Sequence, residues 1–139
     1  MKFEFAEKPL PKDLVKIRFD QITAESSGRV IFGYVQYDIE AKFNNSVRNC
    51  RISYEVYVRS SLGNKFKLPI LRVSHGIMPY PVNVSFVDEI LKDIKRDASS
   101  SEWCTVTLNS EEEFMAFIER IIADKDFFSI VSSIYNMQS

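Results

Sequence analysis

The sequence holds one histidine, His75, and two cysteines, Cys50 and Cys104. His75 with Cys104 is the one obvious acid–base and nucleophile pair. A Cys–His enzyme needs thiolate and imidazole within hydrogen-bond reach, and a third group that orients the ring. The pattern around Cys104 argues the other way, because it shares strand parity with Val106 and Leu108. That predicts burial on an apolar face, where a thiol is inert. With no CxxC and a single histidine, neither a zinc site nor a disulfide framework is indicated, and both cysteines are expected as buried thiols.

Carboxylates occur in pairs and runs, but structure accounts for them. Asp38 and Glu40 fall on the polar side of a strand pattern, and Glu111, Glu112 and Glu113 open a helix, where negative charge complements the helix dipole. No phosphate-cradling glycine loop, GxSxG, HExxH or EF-hand pattern occurs, and a chain with four glycines leaves little room for one. The expectation is a protein without catalysis, cofactor or metal.

The histidine lies in HGIMPYP, residues 75–81, which also holds a glycine and two prolines. It stands where a two-residue apolar period hands over to a helical one. The segment is therefore expected to be a corner that turns the chain and starts a helix. Ile77, Met78 and Tyr80, held by the two prolines, are the adaptable apolar groups that such a loop would offer a partner.

Charge is distributed unevenly. Residues 42–72 carry seven basic side chains against Glu55 alone, a net of +6, whereas residues 84–126 carry eleven acids against five bases, a net of −6. The overall charge of −1 conceals this dipole. If Arg51, Tyr57, Arg59, Lys65 and Lys67 share one exposed sheet face, they combine cations with an aromatic surface.

The elements that would position these groups are read from periodicity. Phe3 and Phe5, then Val15, Ile17 and Phe19, then Val35, Tyr37 and Ile39, alternate with polar residues as half-buried strands do. Cys50, Ile52, Tyr54, Val56 and Val58 repeat the pattern, as do Phe66, Leu68 and Ile70. A two-residue turn at Asn44-Asn45 would set Ile39 opposite Cys50, Tyr37 opposite Ile52 and Asp38 opposite Arg51. Pro69 removes a ladder donor, so its strand is expected at an edge or bulged, with the apolar phase slipping from Ile70 to Leu71 and Val73. Val84, Val87, Ile90, Leu91 and Ile94 have helical spacing and predict a helix near 84–97. WCTVTL reads as a short strand. Ser110 with Glu113 forms a capping box before Phe114, Phe117, Ile118, Ile121 and Ile122, and Asp126 is placed to cap a last helix carrying Phe127, Ile130, Val131 and Ile134.

Together these predict one α+β domain over 1–139: an antiparallel β-meander of four to five strands with two to three C-terminal helices packed on one face. A chain of 139 residues can bury a sizeable core, and 45% hydrophobic with 27% charged residues is a globular composition rather than a disordered one. No apolar run approaches the roughly 20 residues of a membrane span. The opening MKFEFAEKPLPKD lacks the features of a secretory or transit peptide, so a cytoplasmic location is expected.

The order of elements resembles that of the bacterial secretion chaperone SecB family. The shared features are an FEF start followed by prolines, VKIRFD, YEVYVR running into SSLGNKF at a hairpin, then helix, short extended piece and helix. The family's helix-start motif is absent, with MPYPVNVSFVDE in its place. The resemblance implies binding of unfolded chains in apolar grooves and a tetramer.

The sequence therefore predicts a small protein-binding protein of bacterial or phage type: an inhibitor, an immunity protein, a phage accessory protein or a chaperone-like adaptor. Its contact residues would be Arg51, Tyr57, Arg59, Lys65, Lys67, Ile77, Met78 and Tyr80. The alternative is nucleic-acid binding by the basic sheet face, where cations and a stacking aromatic would meet phosphates and bases. A homo-oligomer is compatible with either.

Overall fold

The computed structural model describes residues 7–39, 51–62, 67–94 and 103–137, together with 2 and 4, and for 37–39 and 51 the backbone alone. Phe3, Phe5, Asn44, Asn45, Cys50, Lys65 and Phe66 lie outside the described residues.

The first element is a helix, α1 (Pro11–Glu25), where the alternation of Val15, Ile17 and Phe19 predicted a strand. Proline at its first position has no N–H to lose, and the Leu10 N–H donates to the Asp13 carboxylate at 3.0 Å. The helix buries Pro11, Val15 and Phe19 in steps of four and leaves Ile17 59% exposed. It stops at Ser27 and Gly28, both left-handed, with φ of 56° and 80°. Ser26 then ties helix to sheet: its hydroxyl donates to the Thr23 carbonyl at 2.8 Å and accepts from the Val30 N–H at 3.0 Å.

Five strands follow: β1 (Val30–Ile39), β2 (Arg51–Ser60), β3 (Leu68–His75), β4 (Val82–Val87) and β5 (Trp103–Leu108). They form one antiparallel sheet in sequence order, the expected meander. α2 (Glu111–Ile122) and α3 (Lys125–Tyr135) complete the chain. The fold is α+β, with two C-terminal helices and one N-terminal helix.

The β1–β2 register differs from the expected one by a single residue. Ile39 pairs with Arg51, Asp38 with Ile52 and Tyr37 with Ser53. Eleven residues separate Ile39 from Arg51, an odd number that an even two-residue turn cannot leave in phase. Because side chains alternate, one residue of slip exchanges the faces of β1. Val30 and Phe32 are buried, Tyr34 packs beside them, and Val35 is exposed. In β2 the expected parity holds, with Tyr54, Val56 and Val58 buried.

The bulge expected near Pro69 is present: Tyr57 pairs with Pro69 but Val56 with Leu71, so Ile70 is the extra residue, and both Ile70 and Leu71 are fully buried. The helix expected near 84–97 is replaced by β4 and the turns of residues 88–94. Val82, Val84 and Phe86 alternate with Asn83 and Ser85, and β4 is a central strand that pairs on both sides. Ladder bonds on two flanks outweigh the helical spacing of Val84, Val87, Ile90, Leu91 and Ile94.

HGIMPYP accordingly ends β3 at His75 and links it to β4 through residues 76–81, rather than starting a helix. In α2 the expected cap forms, the Ser110 hydroxyl accepting from the Glu113 N–H at 3.1 Å. In α3 the cap is Asp124 instead of Asp126, accepting from the Phe127 N–H at 3.0 Å.

All three helices lie on one face of the sheet. Phe32 of β1 stacks on Phe19 of α1 at 4.9 Å and on Phe127 of α3 at 6.4 Å, and Phe86 of β4 meets Phe117 of α2 at 5.7 Å. Leu71, Val73, Val82, Val84 and Ile118 fill the space between, all fully buried. Among the described residues no helix covers the other face.

Candidate functional surface

The uncovered face is built from the remaining parity of each strand. One row across it reads Val35, Glu55, Arg72, Ser85, Thr105, and the next reads Ser53, Ser74, Asn83, Thr107. Cross-strand pairs order these side chains: Ser85 and Thr105 hydroxyls meet at 2.8 Å, and the Thr107 hydroxyl donates to Asn83 Oδ1 at 2.8 Å. Arg72 is held twice, its Nε donating to Glu55 Oε2 at 2.9 Å and its guanidinium lying 4.6 Å from the centre of the Trp103 ring.

At the end of the sheet where β2 stops and β3 begins, Tyr57, Arg59 and Lys67 come together. Tyr57 lies flat across Gly33, its β1 partner, so that a Cβ on Gly33 would collide with the phenol ring. The Lys67 ammonium sits 5.0 Å from the same ring's centre. Arg59 donates to the Ser60 carbonyl at 3.3 Å. No described carboxylate pairs with Arg59 or Lys67, whereas Glu55 is already engaged by Arg72.

The sequence-predicted site residues thus divide. Tyr57, Arg59 and Lys67 share the open face. Arg51 belongs to β2 by its backbone, and Lys65 is outside the described residues. Ile77 and Met78 are exposed in the β3–β4 link, 53% and 70%, at the opposite end of β3 and about 20 Å from the cationic cluster by strand rise. Tyr80 turns inward, its ring edge-on to Phe114 at 6.3 Å and its hydroxyl buried. The two expected contact regions are separate surfaces. Reasoning from sequence missed Arg72, Trp103, Asn83 and Ser85 as members of the face; the VNVSF alternation was the signal for Asn83 and Ser85.

His75 and Cys104 do not meet. His75 is buried, with Nδ1 at 2.8 Å from the Gly76 carbonyl oxygen, and Cys104 opposes Phe86, which opposes Leu71. Two strands across and four residues along place them about 16 Å apart, beyond any proton transfer. Among the described residues no group of histidine, cysteine or carboxylate side chains could hold a metal ion, and no helix is long and apolar enough to cross a membrane.

On the helical side three acids are held by cations. Glu119 pairs with Arg18 at 2.5 Å, Asp93 with Arg120 at 2.5 Å, and Asp126 with Lys92 at 3.8 Å. The hydrogen bonds from Arg18 and Arg120 hold the Glu119 and Asp93 carboxyls below the usual range. An apolar groove of about 500 Å³ runs between α1 and α3, lined by Ile22, Val30, Phe127 and Val131 with Phe128 and Tyr135 at its rim.

No family model, curated protein or solved structure matches the chain.

Proposed function

We propose that this chain is a non-catalytic protein-binding domain that recognises an acidic protein surface through the uncovered face of its sheet, within the cytoplasm. The observation that carries this reading is the cluster of Tyr57, Arg59 and Lys67, two cations without a described carboxylate beside a half-buried aromatic ring. Arginine and tyrosine are among the residues that concentrate binding energy at interfaces, and complementary charge, to which Lys67 adds, steers association. Ordered Ser, Thr and Asn rows beside the cluster supply hydrogen-bonding groups whose rotamers are already restricted, which lowers the entropy lost on docking.

Nucleic-acid binding is the second reading, favoured by two aromatics of the open face that each carry a cation, Lys67 on Tyr57 and Arg72 on Trp103. A single experiment separates the two. The partner is recovered from the native cell and identified by mass spectrometry, then titrated against wild type and an Arg59→Glu, Lys67→Glu double variant at two salt concentrations. A protein partner weakened about tenfold or more by the double reversal, with the melting temperature unchanged, supports the proposal. A nucleic-acid partner whose log affinity falls linearly with log salt, with a flatter slope in the variant, supports the second reading. Binding unaffected by the reversal and by salt overturns both, and moves attention to the apolar groove and to Ile77 and Met78.

A further inference from the structure

Beneath the first two turns of α1, on the helical side of the sheet, a second cavity of about 290 Å³ is lined by Lys12, Asp13, Lys16, Tyr34, Gln36 and Tyr54. Its composition is unlike the rest of the covered face. Tyr54 is 2% exposed, and its hydroxyl is buried without a hydrogen-bond partner. Tyr54, Asp13 and Tyr34 line the cavity together. A buried phenol with no acceptor costs about 1–3 kcal/mol, so a native structure that keeps one invites an explanation.

The cationic groups of the cavity are not equally committed. Lys16 pairs with Asp20 at 2.7 Å and lies over the Tyr34 ring, while Tyr34 donates to the other Asp20 oxygen at 3.2 Å. Asp13 uses a carboxylate oxygen to accept the Leu10 N–H. Lys12 holds only a neutral group, the Gln36 side-chain carbonyl, at 3.1 Å. The cavity therefore offers one ammonium without a counter-charge and one phenol without an acceptor.

We propose that this cavity binds a carboxylate, with Lys12 supplying the counter-charge and the Tyr54 hydroxyl donating to a carboxylate oxygen. A monoanion balances the single uncommitted ammonium, and the neighbouring Asp13 carboxylate opposes a second negative charge, which disfavours a phosphate dianion. The volume lies at the small end of ligand sites and fits an acid of a few carbons. Burial raises the Tyr54 phenol well above its ordinary value, so it is a protonated donor throughout the neutral range. The carboxylate comes from a free small acid or from a glutamate side chain of a peptide; the chemistry at Lys12 and Tyr54 is the same. This inference is independent of the sheet-face reading.

The test is titration of the isotope-labelled full chain with sodium succinate monomethyl ester, with a short glutamate-containing peptide blocked at both ends, and with phosphate, against sodium chloride at equal ionic strength. The readout is backbone amide shifts. Saturable shifts concentrated at Lys12, Asp13, Gln36 and Tyr54 are expected with one or both carboxylates, and the arm that saturates names the source. Binding should weaken about tenfold in Lys12→Ala and severalfold in Tyr54→Phe, since each removes one charge-assisted bond. Tyr54→Phe keeps the buried ring and should melt no lower than wild type. The proposal is overturned by any of three outcomes: no saturation at concentrations on the order of 50 mM with either carboxylate, equal affinity in Tyr54→Phe, or tighter binding of phosphate than of the carboxylates.

Discussion

The two faces of the sheet come from the same strands and the same hydrogen-bond ladder, yet they are different materials. One face carries Phe32, Tyr54, Val56, Leu71, Val73, Val84 and Phe86 into a core closed by three helices. The other carries Glu55, Tyr57, Arg59, Arg72, Ser85 and Thr105, ordered by pairs across the strands and covered by no described helix. Burial of apolar area drives the first and leaves it intolerant of lost volume. The second contributes little to folding, and is correspondingly available for recognition. Parity along each strand should therefore decide what a substitution does, stability on one face and binding on the other.

The strongest challenge to that comparison is Phe19→Ala. Phe19 is fully buried, stacked on Phe32 at 4.9 Å and tilted against Phe127 at 6.0 Å, joining α1 and α3 to β1. Its truncation should cost about 3–5 kcal/mol in chemical denaturation, a large part of the stability of a domain this size. A cost below about 1 kcal/mol would show that α1 is not part of the core.

Gly33→Ala probes the open face with a smaller effect whose sign depends on one neighbour. The added methyl meets the Tyr57 ring, which can swing outward, so a loss of about 1 kcal/mol and a displaced ring are expected. In a Tyr57→Ala background the same change should instead stabilise by about 0.5–1 kcal/mol, because glycine is a poor strand residue. A double-mutant cycle with ring-proton shifts measures both. Equal effects in the two backgrounds would refute the packing of Tyr57 across Gly33.

The smallest expected effect is on the outer surface of the helices. The hydrogen bond from Arg18 depresses the Glu119 carboxyl in the folded state. A depressed carboxyl contributes stability that is present above its unfolded value, near 4.3, and is lost as pH falls through the folded value. Glu119 is 51% exposed, so solvent screening limits the pair to about 0.5 kcal/mol or less. Denaturation between pH 7 and pH 3 should show a slightly shallower loss of stability in Glu119→Gln than in wild type, and parallel curves would mean that the pair contributes nothing.

Much of the fold was legible because several signals agreed locally. In β2, alternation and β-branched residues coincide, and Tyr54, Val56 and Val58 are buried as read. At Pro69 a missing donor and a phase slip point to the same place, and Ile70 is the bulge. At Ser110 cap, acidic first turn and apolar period coincide, and α2 begins there. Elsewhere the local signals pointed to the wrong element. Val15 and Phe19 are four apart, a spacing common to both periods, and Pro11 with Asp13 carried the helical start that alternation concealed. Val84, Val87, Ile90, Leu91 and Ile94 suggested a helix, while Val82 and Phe86 completed a strand.

Of the candidate surface, the sequence specified the polar parity of Tyr57 and Arg59 along β2 and of Lys67 before β3, since parity is a local property. It determined as well the class of fold, the bulge and the cap of α2, each carried by residues within a few positions of one another. The tertiary structure alone decided the β1 register, the burial of Tyr80 against Phe114, the clamp of Arg72 between Glu55 and Trp103, and the cavity that joins Lys12 to Tyr54. These depend on which strands and helices meet across long stretches of chain, where a one-residue shift exchanges two faces and ladder bonds to neighbours override local period.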